Sequence, residues 1–245
     1  GVLPHAGQFR TYNITKNQWI LDGDTISYGS ADSLSELLNY DFSEERKFDY
    51  STVSSADAIR HIVRFISGIW QIHAFGEGNT RTTAVFLIKY LRSFGFELNN
   101  ESFEKHSWFF RNALVRSQYE NIPKGIHRIF EPLERFMNFA VFGIPADLRN
   151  RTLHIRWYVA KPQSEVSKHQ NDVLETSLSA LLSLKEMAVI RQIQDNPNIS
   201  ITDIAANTRL SKSTIDRVVR ALKEKGLLTR TGAKNNATWL INHGH

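Results

Sequence analysis

Apolar positions recur with helical spacing in two neighbouring stretches of the chain. Ala58, Ile59, Ile62, Val63, Phe65, Ile66, Ile69 and Trp70 cover nearly every face of a helix, a pattern that belongs inside a core. Ala84, Val85, Leu87, Ile88 and Leu91 repeat it until Gly95 supplies a stop. Ser54, with Asp57 three residues on, offers a capping box for the first of these helices. Two more amphipathic helices are predicted over Phe103–Ser117 and Ile126–Val141, separated by Asn121-Ile122-Pro123-Lys124-Gly125. Their aromatic residues sit at core spacing and carry no cofactor pattern.

Before the first core helix, Tyr12, Ile14, Trp19 and Ile20 favour strand, and Asp22-Gly23 supplies a turn before Thr25-Ile26-Ser27-Tyr28. A β-hairpin covering the core is predicted there, then a short helix over Ser33–Leu38. Gly143-Ile144-Pro145 closes the helical unit, and residues 146–180 read as a connector whose Ile155, Trp157, Tyr158 and Val159 suggest packing. From residue 181 a smaller domain is expected, with helices over Met187–Asp195, Ile201–Asn207 and Lys212–Lys225, then strand, turn and strand up to Ile241. Three helices and a hairpin resemble a winged helix-turn-helix.

Composition changes this picture little: 245 residues, 41% hydrophobic and 22% charged, suffice for two globular domains. With no cysteine, disulfides and thiolate metal sites are excluded, and no run approaches the ~20 apolar residues of a membrane span. No signal peptide is visible, so a cytoplasmic location without membrane partners is expected; the missing initial methionine is consistent with a fragment. Charge is more informative. From Ser183 to His245 there are ten lysines and arginines against five aspartates and glutamates, a balance of +5 that equals the net charge of the whole chain. Lys212, Ser213, Arg217 and Arg220 are expected to face outward from the third helix of the small domain, as candidate DNA contacts. Docking on protein is the alternative.

The chemistry concentrates between the two core helices, in Ile72-His73-Ala74-Phe75-Gly76-Glu77-Gly78-Asn79-Thr80-Arg81. Gly76 and Gly78 open backbone angles that let successive N–H groups turn to one point. Asn79, Thr80 and Arg81 begin a helix, whose free N–H groups favour a phosphate, and Arg81 adds a planar cation. Glu77 beside phosphates calls for a bridging Mg²⁺, and His73 is a proton acceptor near neutral pH. A phosphoryl or nucleotidyl transfer site fits these residues. A zinc site on His73 and Glu77 does not, because the glycines deny it a helix, and no P-loop pattern is present. His61, His106 and His127 are assigned to packing or solvent.

His73, Phe75, Glu77, Gly78, Asn79 and Arg81 resemble, position by position, the signature loop of Fic-domain proteins. That resemblance implies a mainly α fold, a Fic-type helical core with a β-hairpin flap, joined here to a small winged helix-turn-helix domain. It implies transfer of AMP from ATP to a Ser, Thr or Tyr hydroxyl of a target protein. His73 would be the base and Glu77 the Mg²⁺ ligand. Gly76, Gly78, Asn79, Thr80 and Arg81 would bind the phosphates, and Phe75 would anchor the loop. The flap, with Ile20, Thr25 and Ile26, would align the target by strand pairing, while Tyr119 and Asn121 either line an adenine pocket or form a turn. ATP, the target protein, DNA and a second copy of the chain are the partners this reading admits.

Two positions depart from the family pattern. Thr80 stands where glycine is common, and Ala84 where a second arginine usually meets the γ-phosphate, which puts the donor in question. The family's inhibitory glutamate, in Ser/Thr-x-x-x-Glu-(Gly or Asn), has no counterpart, since Glu77 and Glu120 are preceded at that distance by His73 and Arg116. A DNA-binding regulator with a nucleotide-sensing Fic unit is the alternative function.

Overall fold

The computed structural model describes residues 7–98, 100–156, 178–232 and 238–242. Its contacts separate two compact units, Gly1–Phe48 with Ile59–Leu87 and Asn100–Gln170, and Asp49–Ala58 with Ile88–Asn99 and Asn171–His245.

The first unit is helical. Its elements are α1 (Leu34–Lys47), most of α2 (Ser55–Ile72), the start of α3 (Asn79–Arg92), α4 (Glu101–Lys105), α5 (Ser107–Gln118) and α6 (Glu131–Phe142). α2 starts on the expected cap, with the Ser54 hydroxyl accepting from the Asp57 amide at 3.1 Å. Ile59, Ile62, Val63, Ile66 and Trp70 are buried along it. Phe103, Phe110 and Phe136 meet edge-on or tilted at 5.0 to 5.2 Å and join α4, α5 and α6. α2 and α5 also share buried hydrogen bonds, Ser67 to Ser117 and Gln118 to Ser67, each at 2.6 Å.

The structure departs from the sequence expectations at four elements. The predicted hairpin is a compact loop: Trp19–Leu21 is a 3₁₀ turn, Asp22 takes φ 55°, and the Gln18 amide bonds Asp24. Ile20, Leu21 and Ile26 point into the core, and burying all three on one side is incompatible with the alternation of a strand. The helix expected from Phe103 breaks at His106 into α4 and α5. The helix expected from Ile126 starts only at Glu131, because Ile126 bridges Asn121 and Pro132 favours a helix beginning. The predicted helix at Ser33–Leu38 extends to Lys47. Of the predicted connector, Asn150–Leu153 forms a 3₁₀ turn, with Leu153 and Ile155 buried and Asn150 bonded to Asn112 of α5 at 2.8 Å. Trp157, Tyr158 and Val159 lie outside the described residues.

The second unit contains α7 (Leu184–Asp195), α8 (Ile201–Thr208), α9 (Lys212–Glu224) and the antiparallel strands β1 (Leu228–Thr231) and β2 (Thr238–Ile241). Each helix starts on a serine cap: Ser183 with Glu186 as a full capping box, then Ser200 and Ser211. Ile204, Ile215, Leu222, Leu228 and Trp239 form its core, and the Trp239 indole donates to the Ile199 carbonyl at 2.8 Å. The turn expected between the strands lies largely outside the described residues. Among those described, no helix is long and apolar enough to cross a membrane.

Candidate active site

α2 ends at Ile72, and His73 takes φ 53°, a left-handed conformation that costs a non-glycine residue about 1–2 kcal/mol. Arg10 holds it there. Its Nε donates to the His73 carbonyl at 2.8 Å, its Nη1 to the Tyr12 carbonyl at 2.6 Å, and its Nη2 to the Gly29 and Ile72 carbonyls. The Arg10 amide bonds Ala74 at 2.9 Å. Several fixed contacts over-determining one strained residue is the pattern of a site whose geometry matters.

The His73 ring is buried, 4% exposed. Nδ1 stands 3.1 Å from the Trp70 carbonyl, which can only accept, so this network assigns the proton to Nδ1. Nε2 then carries the lone pair, and the Lys16 ammonium lies 3.4 Å from it. Tyr28 and Trp70 flank the ring at 4.4 and 5.3 Å. Burial first, then the charges of Lys16, Arg10 and Arg111, lower the His73 pKa to about 4, against the raising effect of the Trp70 carbonyl. At neutral pH the imidazole is uncharged and able to accept a proton.

Nε2 belongs to a cavity of about 180 Å³ lined by three cations from three elements: Lys16 of the N-terminal segment, Arg81 of α3 and Arg111 of α5. None of its lining residues is acidic. Gln18, 1% exposed, organises it: Nε2 donates to the Lys16 carbonyl and the Tyr28 hydroxyl at 3.1 Å each, and Oε1 accepts from Arg111 at 2.8 Å. Burial lowers the pKa of both Lys16 and Arg111, and Arg111 further lowers that of Lys16. Arg81 is exposed and the Glu77 carboxylate offsets part of the charge of Lys16, so the cost of burial falls on Lys16 and Arg111, a partly buried pair of like charges that an anion would relieve.

The loop residues divide their roles differently from the sequence reading. Gly78 has φ 78° as expected, but Gly76 does not lie in that region. A Cβ at Gly76 would meet the Tyr12 hydroxyl at 2.8 Å, so that glycine provides room. Asn79 closes the loop with both ends of its amide, accepting from the Phe75 amide at 2.9 Å and donating to the Phe75 carbonyl at 2.6 Å. The same residue also lines the cavity. The Thr80 hydroxyl accepts from the Trp70 indole at 3.0 Å, giving a buried donor its partner. Phe75 packs on the Leu34, Ile72 and Ala74 cluster and on Phe9 at 5.8 Å. Glu77 is exposed at the crest of the loop.

Comparison with protein families now bears on this geometry. Residues 2–91 match the model of the Fic/DOC family, and residues 182–237 match that of the MarR family. The chain carries a Fic/DOC domain followed by a winged helix. No curated protein and no solved structure matches it. Ala84 leaves α3 with Arg81 as its cavity cation, while Lys16 and Arg111 come from elsewhere. The sequence reading has no place for Arg10, Lys16, Gln18 and Arg111, and takes Tyr28 only as a strand residue. They lie up to 93 residues from the groups they hold, so no local pattern marks them.

Other expected residues stand apart from the cavity. Tyr119 is buried, its hydroxyl donating to Asp24 at 2.7 Å, and Asn121 caps the 3₁₀ turn Ile122–Lys124 and bonds the Tyr119 hydroxyl at 3.3 Å. Of the two readings kept for this pair, the turn describes their position. Thr25 bonds its neighbours Asp24 and Ile26. Of the winged helix, Lys212, Ser213, Arg217 and Arg220 are all exposed on α9, and Lys223 and Arg230 lie over the Trp239 ring at 5.4 and 5.0 Å.

Proposed function

We propose that the Fic/DOC domain transfers the nucleoside monophosphate of a triphosphate, ATP by resemblance, to a hydroxyl of a protein. The observation that carries this reading is a neutral imidazole, its unprotonated Nε2 3.4 Å from the Lys16 ammonium, in the lining of a cavity that three cations share. His73 Nε2 takes the proton of the attacking Ser, Thr or Tyr hydroxyl. That oxygen forms a bond to the α-phosphorus, the bond to the bridging oxygen breaks, and pyrophosphate leaves. Arg81 and the amides at the start of α3 face the charge that develops on the phosphoryl oxygens. Glu77 fits a Mg²⁺ held by a single carboxylate with the remaining positions filled by phosphate and water. The ion would neutralise charge on the phosphates. Among the described residues no cluster of three ligating side chains exists, and a Mg²⁺ bound mainly through its substrate needs none.

The winged helix supports a second activity, DNA binding through α9, with four exposed polar and basic side chains on its outer face and the chain's charge excess in this region. The two readings are separable by experiment. Incubation with radiolabelled ATP and Mg²⁺ tests transfer: label on protein that disappears with His73→Asn supports it, and label that persists in that variant rejects His73 as base. Duplex binding whose affinity is independent of Arg217 and Arg220 rejects the α9 interface.

A further inference from the structure

We propose that Arg111, assisted by Lys16, is the clamp for the terminal phosphates of the donor and sets the preference for a triphosphate over shorter phosphates. This deepens the proposed function, resting on its anion-binding part and not on the transfer step.

Among the described residues the Arg111 guanidinium is hydrogen-bonded by neutral amides, Gln18 Oε1 at 2.8 Å and Asn112 Oδ1 at 3.2 Å, and it lies 5.7 Å from the centre of the Trp108 ring. These contacts fix orientation and leave the positive charge intact. Lys16 is similar, half-buried, with its ammonium beside His73 and its backbone carbonyl tied to Gln18. Gln18 thus couples both cations to one buried amide, a rigid support of the kind an anion site requires.

Size and charge then specify the ligand. A cavity of about 180 Å³ is smaller than the roughly 300–1,000 Å³ of pockets that enclose a whole small molecule, so it suits the charged end of a nucleotide. The three lining cations, with the Glu77 carboxylate outside the lining offsetting part of the charge of Lys16, suit a polyphosphate. Where the signature's second arginine is Ala84, the chain supplies a cation from α5 instead.

The test is calorimetric titration of the full chain with inorganic tripolyphosphate and, separately, inorganic phosphate at constant ionic strength. Wild type should bind tripolyphosphate much the more tightly. Arg111→Gln should weaken tripolyphosphate by roughly 10–100-fold, the value of a charge-assisted pair, and phosphate by less than about threefold, with Arg111→Lys recovering part of the loss. Lys16→Gln gives the same selective loss and serves if Arg111→Gln fails to fold. Equal weakening of both anions, or no tripolyphosphate binding by wild type, overturns the assignment. Selective binding without any AMP transfer leaves it standing and removes the transfer reading. Transfer that persists with unchanged tripolyphosphate affinity in Arg111→Gln does the reverse.

Discussion

Lowering the pH should destabilise the protein through His73, and the size of the effect follows from the site. The ring is buried with its pKa moved from 6.5 to about 4, by burial first and then by the neighbouring cations. Between those values the unfolded chain binds a proton at His73 that the folded chain refuses, so stability rises with pH across the window. The contribution is fully present above pH 6.5 and is lost as pH falls through 4. At about 1.4 kcal/mol for each pH unit, 2.5 units amount to roughly 3 kcal/mol. His73→Asn is the matched control, because asparagine tolerates positive φ and carries an N–H for the Trp70 carbonyl. Urea denaturation of both proteins at intervals from pH 7.5 to 4 isolates the term, since all other groups are shared. The wild type should lose roughly 3 kcal/mol more than the variant. Parallel curves would refute a buried neutral imidazole.

Further outcomes follow from the same geometry. Tripolyphosphate should raise the His73 pKa, seen as an upward move of its ring-resonance titration in NMR, because the anion offsets Lys16 and Arg111; no movement contradicts the shared cavity. Thr80→Gly should cost about 1–3 kcal/mol in urea denaturation by stranding the Trp70 indole N–H, while Thr80→Ser should be nearly neutral. Arg10→Met should cost at least about 3 kcal/mol, since it leaves carbonyls at Tyr12, Gly29, Ile72 and His73 without their donor. Arg217→Ala and Arg220→Ala should each lower the salt slope of duplex binding by about one, read by fluorescence anisotropy at several salt concentrations.

The sequence carried the signature loop because its chemistry is contiguous: base, carboxylate and helix start fall within nine residues, and the helices on either side are long and strongly apolar. The winged helix was legible for similar reasons, with three short helices and then strand, turn and strand following one another closely. What escaped was whatever depends on distant partners. Ile20 and Ile26 look like strand residues, yet both bury into a helical core and their backbone turns instead of pairing. Asn79 carries the amide a phosphate site wants, and only the fold shows that it also clamps the loop through Phe75. Arg10 and Arg111 look like ordinary surface arginines until folding sets them beside His73, 63 residues from the first and 38 from the second.

The most direct test of nucleotidyl transfer from this cavity is mass spectrometry of the protein and candidate partners after incubation with ATP and Mg²⁺. An AMP adduct on a Ser, Thr or Tyr oxygen is predicted, with pyrophosphate released and both lost in His73→Asn. The absence of any adduct from a wild type that binds tripolyphosphate, or an adduct undiminished in His73→Asn, would contradict the mechanism.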